Sequence, residues 1–286
     1  MRRLKKRTRA LTISILVLLM LVPNAAAGWV ASHPGPKTEP TAVPESFGPG
    51  WLNDHAGTTE LWFAAPVGNA PVIVMVHGYR QPRSDLRRLA QDLHGRNYGI
   101  VLIELPYLDG SEPYSGGARE AAAVATAVDW TKGRFGRPVV LMGFSAGGFA
   151  STLAVRNGTD VSALITDSAF VSSISTFRRA ASQRIHMPRF LFCALRPAYF
   201  VASGGHSLQD IRDGKQSWNT PTFVIHGTND DYVPPANATD LRRVTNAELW
   251  MVPGVDHGGA WYADPAAYEA RVDGFIVKAL RKRDAR

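Results

Sequence analysis

The sequence predicts an α/β fold in which a mostly parallel central sheet carries helices on both faces. Three observations point there: short apolar β-prone runs recur along the chain, helix-period segments separate them, and one run breaks into a glycine-bounded serine turn. Strands covered on both faces read as unbroken apolar runs. Val72-Ile73-Val74-Met75-Val76 is such a run. A chain of 286 residues with 45% hydrophobic content can build one sizeable core.

Taken in order, the chain opens with a basic cluster, Arg2, Arg3, Lys5, Lys6, Arg7 and Arg9, followed by the apolar run Leu11 to Val22 and then Pro23-Asn24-Ala25-Ala26-Ala27. That order is the signature of an export signal, residues 1–27, with cleavage expected after Ala27. Were Pro23 to Val30 held in the bilayer, the same segment would remain as an uncleaved anchor through residues 11–30. Membrane contact is expected only in that second case. Residues 28–46 are rich in Pro, Gly and Thr and read as a linker, with the folded domain expected over 47–286.

The formal charge of +8 invites a nucleic-acid reading, but the six basic residues of the export segment leave only +2. The C-terminal Arg281-Lys282-Arg283-Asp284-Ala285-Arg286 adds another basic cluster, so the body of the fold is close to neutral and no nucleic-acid partner is expected. The single cysteine, Cys193, excludes an intrachain disulfide and reads as a buried small hydrophobe.

Within the domain, Glu60 to Ala64 reads as a first, edge-side strand and Val72 to Val76 as a buried one. Ser84 is a plausible N-cap for a helix whose stripe is Leu86, Leu89, Ala90 and Leu93. The alternation continues with a strand at Ile100 to Leu105, a helix marked by Ala121, Val124, Ala125 and Val128, a strand at Val139 to Met142, and a helix from Ala146 to Val155. Strands follow at Val161 to Ile165, Thr222 to Ile225 and Glu248 to Val252, with helices at Pro234 to Val244 and from Asp264-Pro265 through Leu280. Residues 171–218 interrupt the pattern. They hold arginines, an aromatic cluster and no strand signal, and read as a helical cap shaping an apolar pocket, or as a helical connection with an ordinary packed face.

Chemistry concentrates at Gly143-Phe144-Ser145-Ala146-Gly147. A bare G-x-S-x-G occurs by chance in about one chain in ten of this size, so its strand-to-helix setting and its partners must carry the reading. A serine hydroxyl needs a base to take its proton, and the base needs an orienting carboxylate. Downstream strand ends supply both: His226-Gly227-Thr228-Asn229-Asp230-Asp231 after one strand, and Gly254-Val255-Asp256-His257-Gly258-Gly259 after the next. The expected assignment is Ser145 as nucleophile, His257 as base and Asp230 as acid, with Asp231 the neighbouring alternative. Backbone N–H groups of Ala146 and Tyr79 are the expected oxyanion donors. The remaining histidines lack metal-ligand spacing, so neither a metal nor a cofactor is expected.

The blocks HGYR at His77, GFSAGG at Gly143, TDSAF at Thr166, HGTNDDYVP at His226 and GVDHGG at Gly254 together resemble the α/β-hydrolases, nearest the serine aminopeptidase-like and Bem46-like branch. The resemblance implies the α/β-hydrolase fold and the same Ser145, Asp230, His257, Tyr79 and Ala146 assignments. Where such proteins often carry an Asp-x-Arg-Gly-like block, this chain has Glu104-Leu105-Pro106-Tyr107. The expected function is a secreted serine hydrolase acting on small-molecule esters, with a serine peptidase acting on short peptides, or a binding protein that has lost catalysis, as the alternatives.

Overall fold

A computed structural model describes residues 2–35, 39–186, 188–213 and 217–284. Parts of the expected linker (Pro36 to Thr38) and of the expected insertion (Met187 and Gly214 to Gln216) lie outside the described residues. A long helix α1 (Arg2–Ser32) comes first, followed by the hairpin β1 (Trp51–Ala56) and β2 (Thr59–Ala64). The parallel alternation then runs β3 (Val72–Val76), α2 (Arg87–Gly95), β4 (Gly99–Ile103), α3 (Ala118–Phe135), β5 (Val139–Phe144), α4 (Ala146–Arg156) and β6 (Ala163–Asp167). After β6 the chain forms α5 (Ser173–Ile185) and α6 (Leu195–Ala202). It then returns through β7 (Thr222–Gly227), α7 (Ala236–Thr245), β8 (Glu248–Val252), α8 (Ala260–Ala263) and α9 (Pro265–Asp284).

Among the described residues, eight strands form one sheet in the order β1-β2-β4-β3-β5-β6-β7-β8. β2 pairs antiparallel with β1 and β4, and every pairing from β4 to β8 is parallel. The apolar strands send alternate residues to opposite faces, as the two-residue strand period requires. Val72, Val74, Val76, Leu141 and Leu164 pack with Val124, Val128, Phe149 and Leu153 of α3 and α4. Ile73, Met75, Val140, Met142 and Ile165 pack with Leu89 and Leu93 of α2 and with Tyr268, Val272 and Ile276 of α9.

Four details differ from the sequence expectation. The sheet edge is β1 rather than β2, because Trp51-Leu52-Asn53-Asp54-His55-Ala56 exposes four consecutive residues and shows no apolar run. Ser84 does not cap α2: it lies in a 3-10 turn, Arg83–Leu86, that precedes the helix. The first part of the expected linker is helical, since α1 continues unbroken to Ser32. Cys193 is exposed, while Phe192 and Leu195 on either side of it turn inward.

Candidate active site

The switch in strand order falls between β3 and β5, where an open α/β sheet leaves a crevice at its C-terminal rim. Ser145 follows β5 directly, with φ 50° and ψ −114°, a backbone conformation uncommon for a residue with a side chain. The flanking glycines hold it there. A Cβ on Gly147 would stand 2.3 Å from the backbone oxygens of Val76 and His77, and one on Gly143 would stand 2.5 Å from the Gly147 oxygen. Ser145 N–H donates to the Asp167 carbonyl at 2.8 Å, tying the turn to β6.

The turn puts Ser145 Oγ 3.0 Å from His257 Nε2, and His257 Nδ1 stands 2.7 Å from Asp230 Oδ2. The carboxylate can only accept, so the Nδ1 proton is the one it orients and Nε2 is left to accept from the serine hydroxyl. Asp230, 1% exposed, also accepts the Val233 N–H at 2.7 Å. Burial opposes its ionisation, but hydrogen bonds from His226, His257 and Val233 outweigh that and bring its pKa to about 2. Asp231 is exposed and plays no part in this arrangement; its carbonyl accepts from Arg179 Nε of α5 at 3.0 Å.

The loop after β3 lies against the serine. A Cβ on Gly78 would come within 3.4 Å of Ser145 Cβ, which places the following residue, Tyr79, beside the turn, while Ala146 opens α4 immediately after the serine. His77 braces this loop, its Nδ1 donating to the Gly78 carbonyl and its Nε2 accepting the Leu105 N–H, each at 2.9 Å. All five residues singled out from the sequence thus meet at one rim. A cavity of about 440 Å³ opens on Ser145 and His257, walled by Phe144, Leu86, Trp261 and Tyr262.

Sequence reasoning missed a second layer. The buried Asp167 at the end of β6 accepts from Ser168 Oγ and from Tyr268 OH of α9, both at 2.9 Å, and Ser168 Oγ accepts the Gly258 N–H at 3.0 Å. Burial raises the Asp167 carboxyl above its ordinary range, against those hydrogen bonds. The chain thereby fixes the loop that carries His257. The signal available was the block Thr166-Asp167-Ser168 at a strand end next to β5, where polar residues at the rim of a parallel sheet face the crevice.

Sheet order and rim define the class first: a doubly covered α/β protein whose serine sits on a strand-to-helix elbow. Residues 73–271 match the model of the alpha/beta hydrolase family, and the chain belongs to that family. A non-heme haloperoxidase of Rhodococcus erythropolis is 35% identical over 63 residues, which is 21% of this chain and 23% of that protein. The chain therefore aligns with less than a quarter of that relative's length. An esterase of Pyrococcus furiosus has a TM-score of 0.68 at 17% identity, over 85% of this chain and 96% of its own. A membrane phospholipase A described as a bacterial virulence factor has a TM-score of 0.57 at 16% identity, over 98% of this chain and 99% of its own. At these identities the likeness is one of fold.

Proposed function

We propose that this α/β-hydrolase is a serine hydrolase of carboxylic esters that works outside the cytoplasm through Ser145, His257 and Asp230. The observation that carries the proposal is the continuous contact from hydroxyl to imidazole to buried carboxylate, 3.0 Å and then 2.7 Å. His257 Nε2 takes the Ser145 proton as Oγ attacks the ester carbonyl, and Asp230 stabilises the imidazolium that forms. The N–H groups of Ala146 and Tyr79 hold the oxyanion. His257 then gives its proton to the departing alcohol, and a water activated in the same way discharges the acyl-enzyme. An ester is named as the substrate by analogy with fold neighbours described as esterases.

Ser145→Ala tests this. The wild-type chain should take a fluorophosphonate label and hydrolyse p-nitrophenyl esters. The variant should take no label and lose turnover by roughly a millionfold with its circular dichroism unchanged. Equal labelling of the two proteins would remove the assignment.

A further inference from the structure

We propose that α1 stays in the finished protein as a membrane anchor, and that the cavity between α1 and the cap takes the acyl chain of an ester lipid drawn from the bilayer. The second half rests on the esterase reading above. α1 crosses the expected cleavage point after Ala27 as one helix, and beyond that point it is part of the fold. Asn24, Gly28, Ala31 and Ser32 are buried at the i, i+4, i+7, i+8 spacing of one helix face.

Each of these positions is committed. Asn24 Nδ2 donates to the Leu191 carbonyl at 2.7 Å, and a Cβ on Gly28 would stand 2.9 Å from the backbone of Ala198 and Tyr199 on α6. The Ser32 carbonyl accepts the Tyr114 N–H at 2.6 Å, and Tyr79 OH donates to the carbonyls of Val30 and Ala31 at 3.1 and 3.0 Å. Cleavage after Ala27 would remove Asn24 from its pocket. It would also leave a charged amino group on Gly28 where the backbone of α6 closes over it, and an unpaired charge in such a place is costly.

The opposite face is apolar and bare. Leu11, Leu18, Val22, Trp29 and Val30 are each at least half exposed, a surface too extensive to be left in water. Leu11–Ser32 spans 22 residues at a mean hydropathy of 2.0. Ahead of Asn24, Leu11 to Pro23 is about 20 Å long at about 1.5 Å per residue, so a hydrocarbon layer of about 30 Å is filled only with Trp29, Val30 and the exposed Phe190, Phe200 and Val201 of the adjoining segment also in lipid. Six basic residues precede Leu11, as expected for the cytoplasmic end of an anchor. The occupant that the bare apolar face, hydropathy and flanking charge select is a lipid bilayer.

The bare face matters to the site because the second cavity, about 260 Å³, lies between α1 and the cap. Ala26, Ala27 and Val30 form one wall, and Phe177 and Ala181 of α5 form another. Tyr79 and Tyr232 close the end nearest the triad, and the Tyr232 ring lies 5.1 Å from that of His257. The two helices line the slot with small and apolar residues, Arg80 and Arg184 also border it, and Tyr232 stands between it and the His257 imidazole. A hydrocarbon chain held there has its ester carbonyl reach Ser145 past Tyr79, whose loop touches the serine through Gly78.

The test uses the full chain. Intact-mass measurement of protein purified from host membranes should find residues 1–27 present. A soluble species that begins at Gly28 and is fully active would overturn the anchor. In phosphatidylcholine vesicles, Ala27→Trp and Ala181→Trp should each lower kcat/KM for p-nitrophenyl laurate at least tenfold more than for p-nitrophenyl acetate. Equal changes on the two esters in both variants would overturn the acyl slot. Hydrolysis of neither ester by the wild-type chain, with no probe on Ser145, would overturn the esterase reading and the slot together, while the mass would still decide the anchor.

Discussion

At Ser145 the chain accepts a backbone conformation that an L-residue rarely adopts, and two glycines and a hydrogen bond to β6 hold it there. Asp230 performs the companion task at the other end of the imidazole. Asp230→Asn should lower esterase turnover by about four orders of magnitude, because the amide no longer fixes the Nδ1 tautomer. Asp231→Asn should leave turnover nearly unchanged, and the reverse ranking would move the acid by one residue. The depressed Asp230 pKa, about 2 against an ordinary 3.8, also couples the site to pH. A lowered carboxyl contributes stability that is complete above about pH 4 and is lost as pH falls through about 2. Chemical denaturation across that window should show the wild-type chain losing about 2 kcal/mol that Asp230→Asn never had, and parallel profiles would exclude this coupling. The serine, histidine and aspartate could be read from the sequence because each sits in a short motif at a strand end. Asp167 and Ser168 could not be assigned, since their work depends on Tyr268, about a hundred residues away in α9.

Elements position these groups through the closeness of β3 and β5, whose register sets Val76 against Gly143. The turn after β5 packs its backbone directly on the loop after β3, so the space for a side chain at Gly147 is occupied by fixed carbonyl oxygens. Gly147→Ala should abolish soluble folded protein or lower its stability by several kcal/mol, on the order seen for other strained or overpacked core positions. Gly133→Ala, exposed in α3 with nothing within 4 Å of the new methyl, should raise stability by about 0.5–1 kcal/mol. Thermal denaturation compares the two, and equal effects would show that the elbow tolerates a side chain. Buried strands such as Val72 to Val76 were plain in the sequence because burial on both faces removes polar residues. β1 was not, because four of its six residues face water. The segment 171–218 was legible as helical, as α5 and α6 show, but its exposed Phe190 and Phe200 do not line the second cavity, which draws on Phe177 instead.

At the scale of the whole molecule, positive charge is gathered at the two ends of the chain and the folded body is close to neutral. The mostly parallel sheet and the position of its C-terminal rim follow from hydrophobic pattern and connection rules that act locally, whereas the strand order was read only from the structure. The role of the first 32 residues does not follow from those rules, because an export signal and an anchor share one composition. The proposed anchor rests on packing instead: Asn24, Gly28 and Ser32 are ordinary in sequence and buried in the fold. Cys193 lies where these parts meet, its Sγ 3.6 Å from Met20 Sδ, and it is the chain's single cysteine. The native chain therefore supplies one attachment point for a thiol-reactive, polarity-sensitive dye, so the surroundings of α1 can be followed spectroscopically without altering another residue.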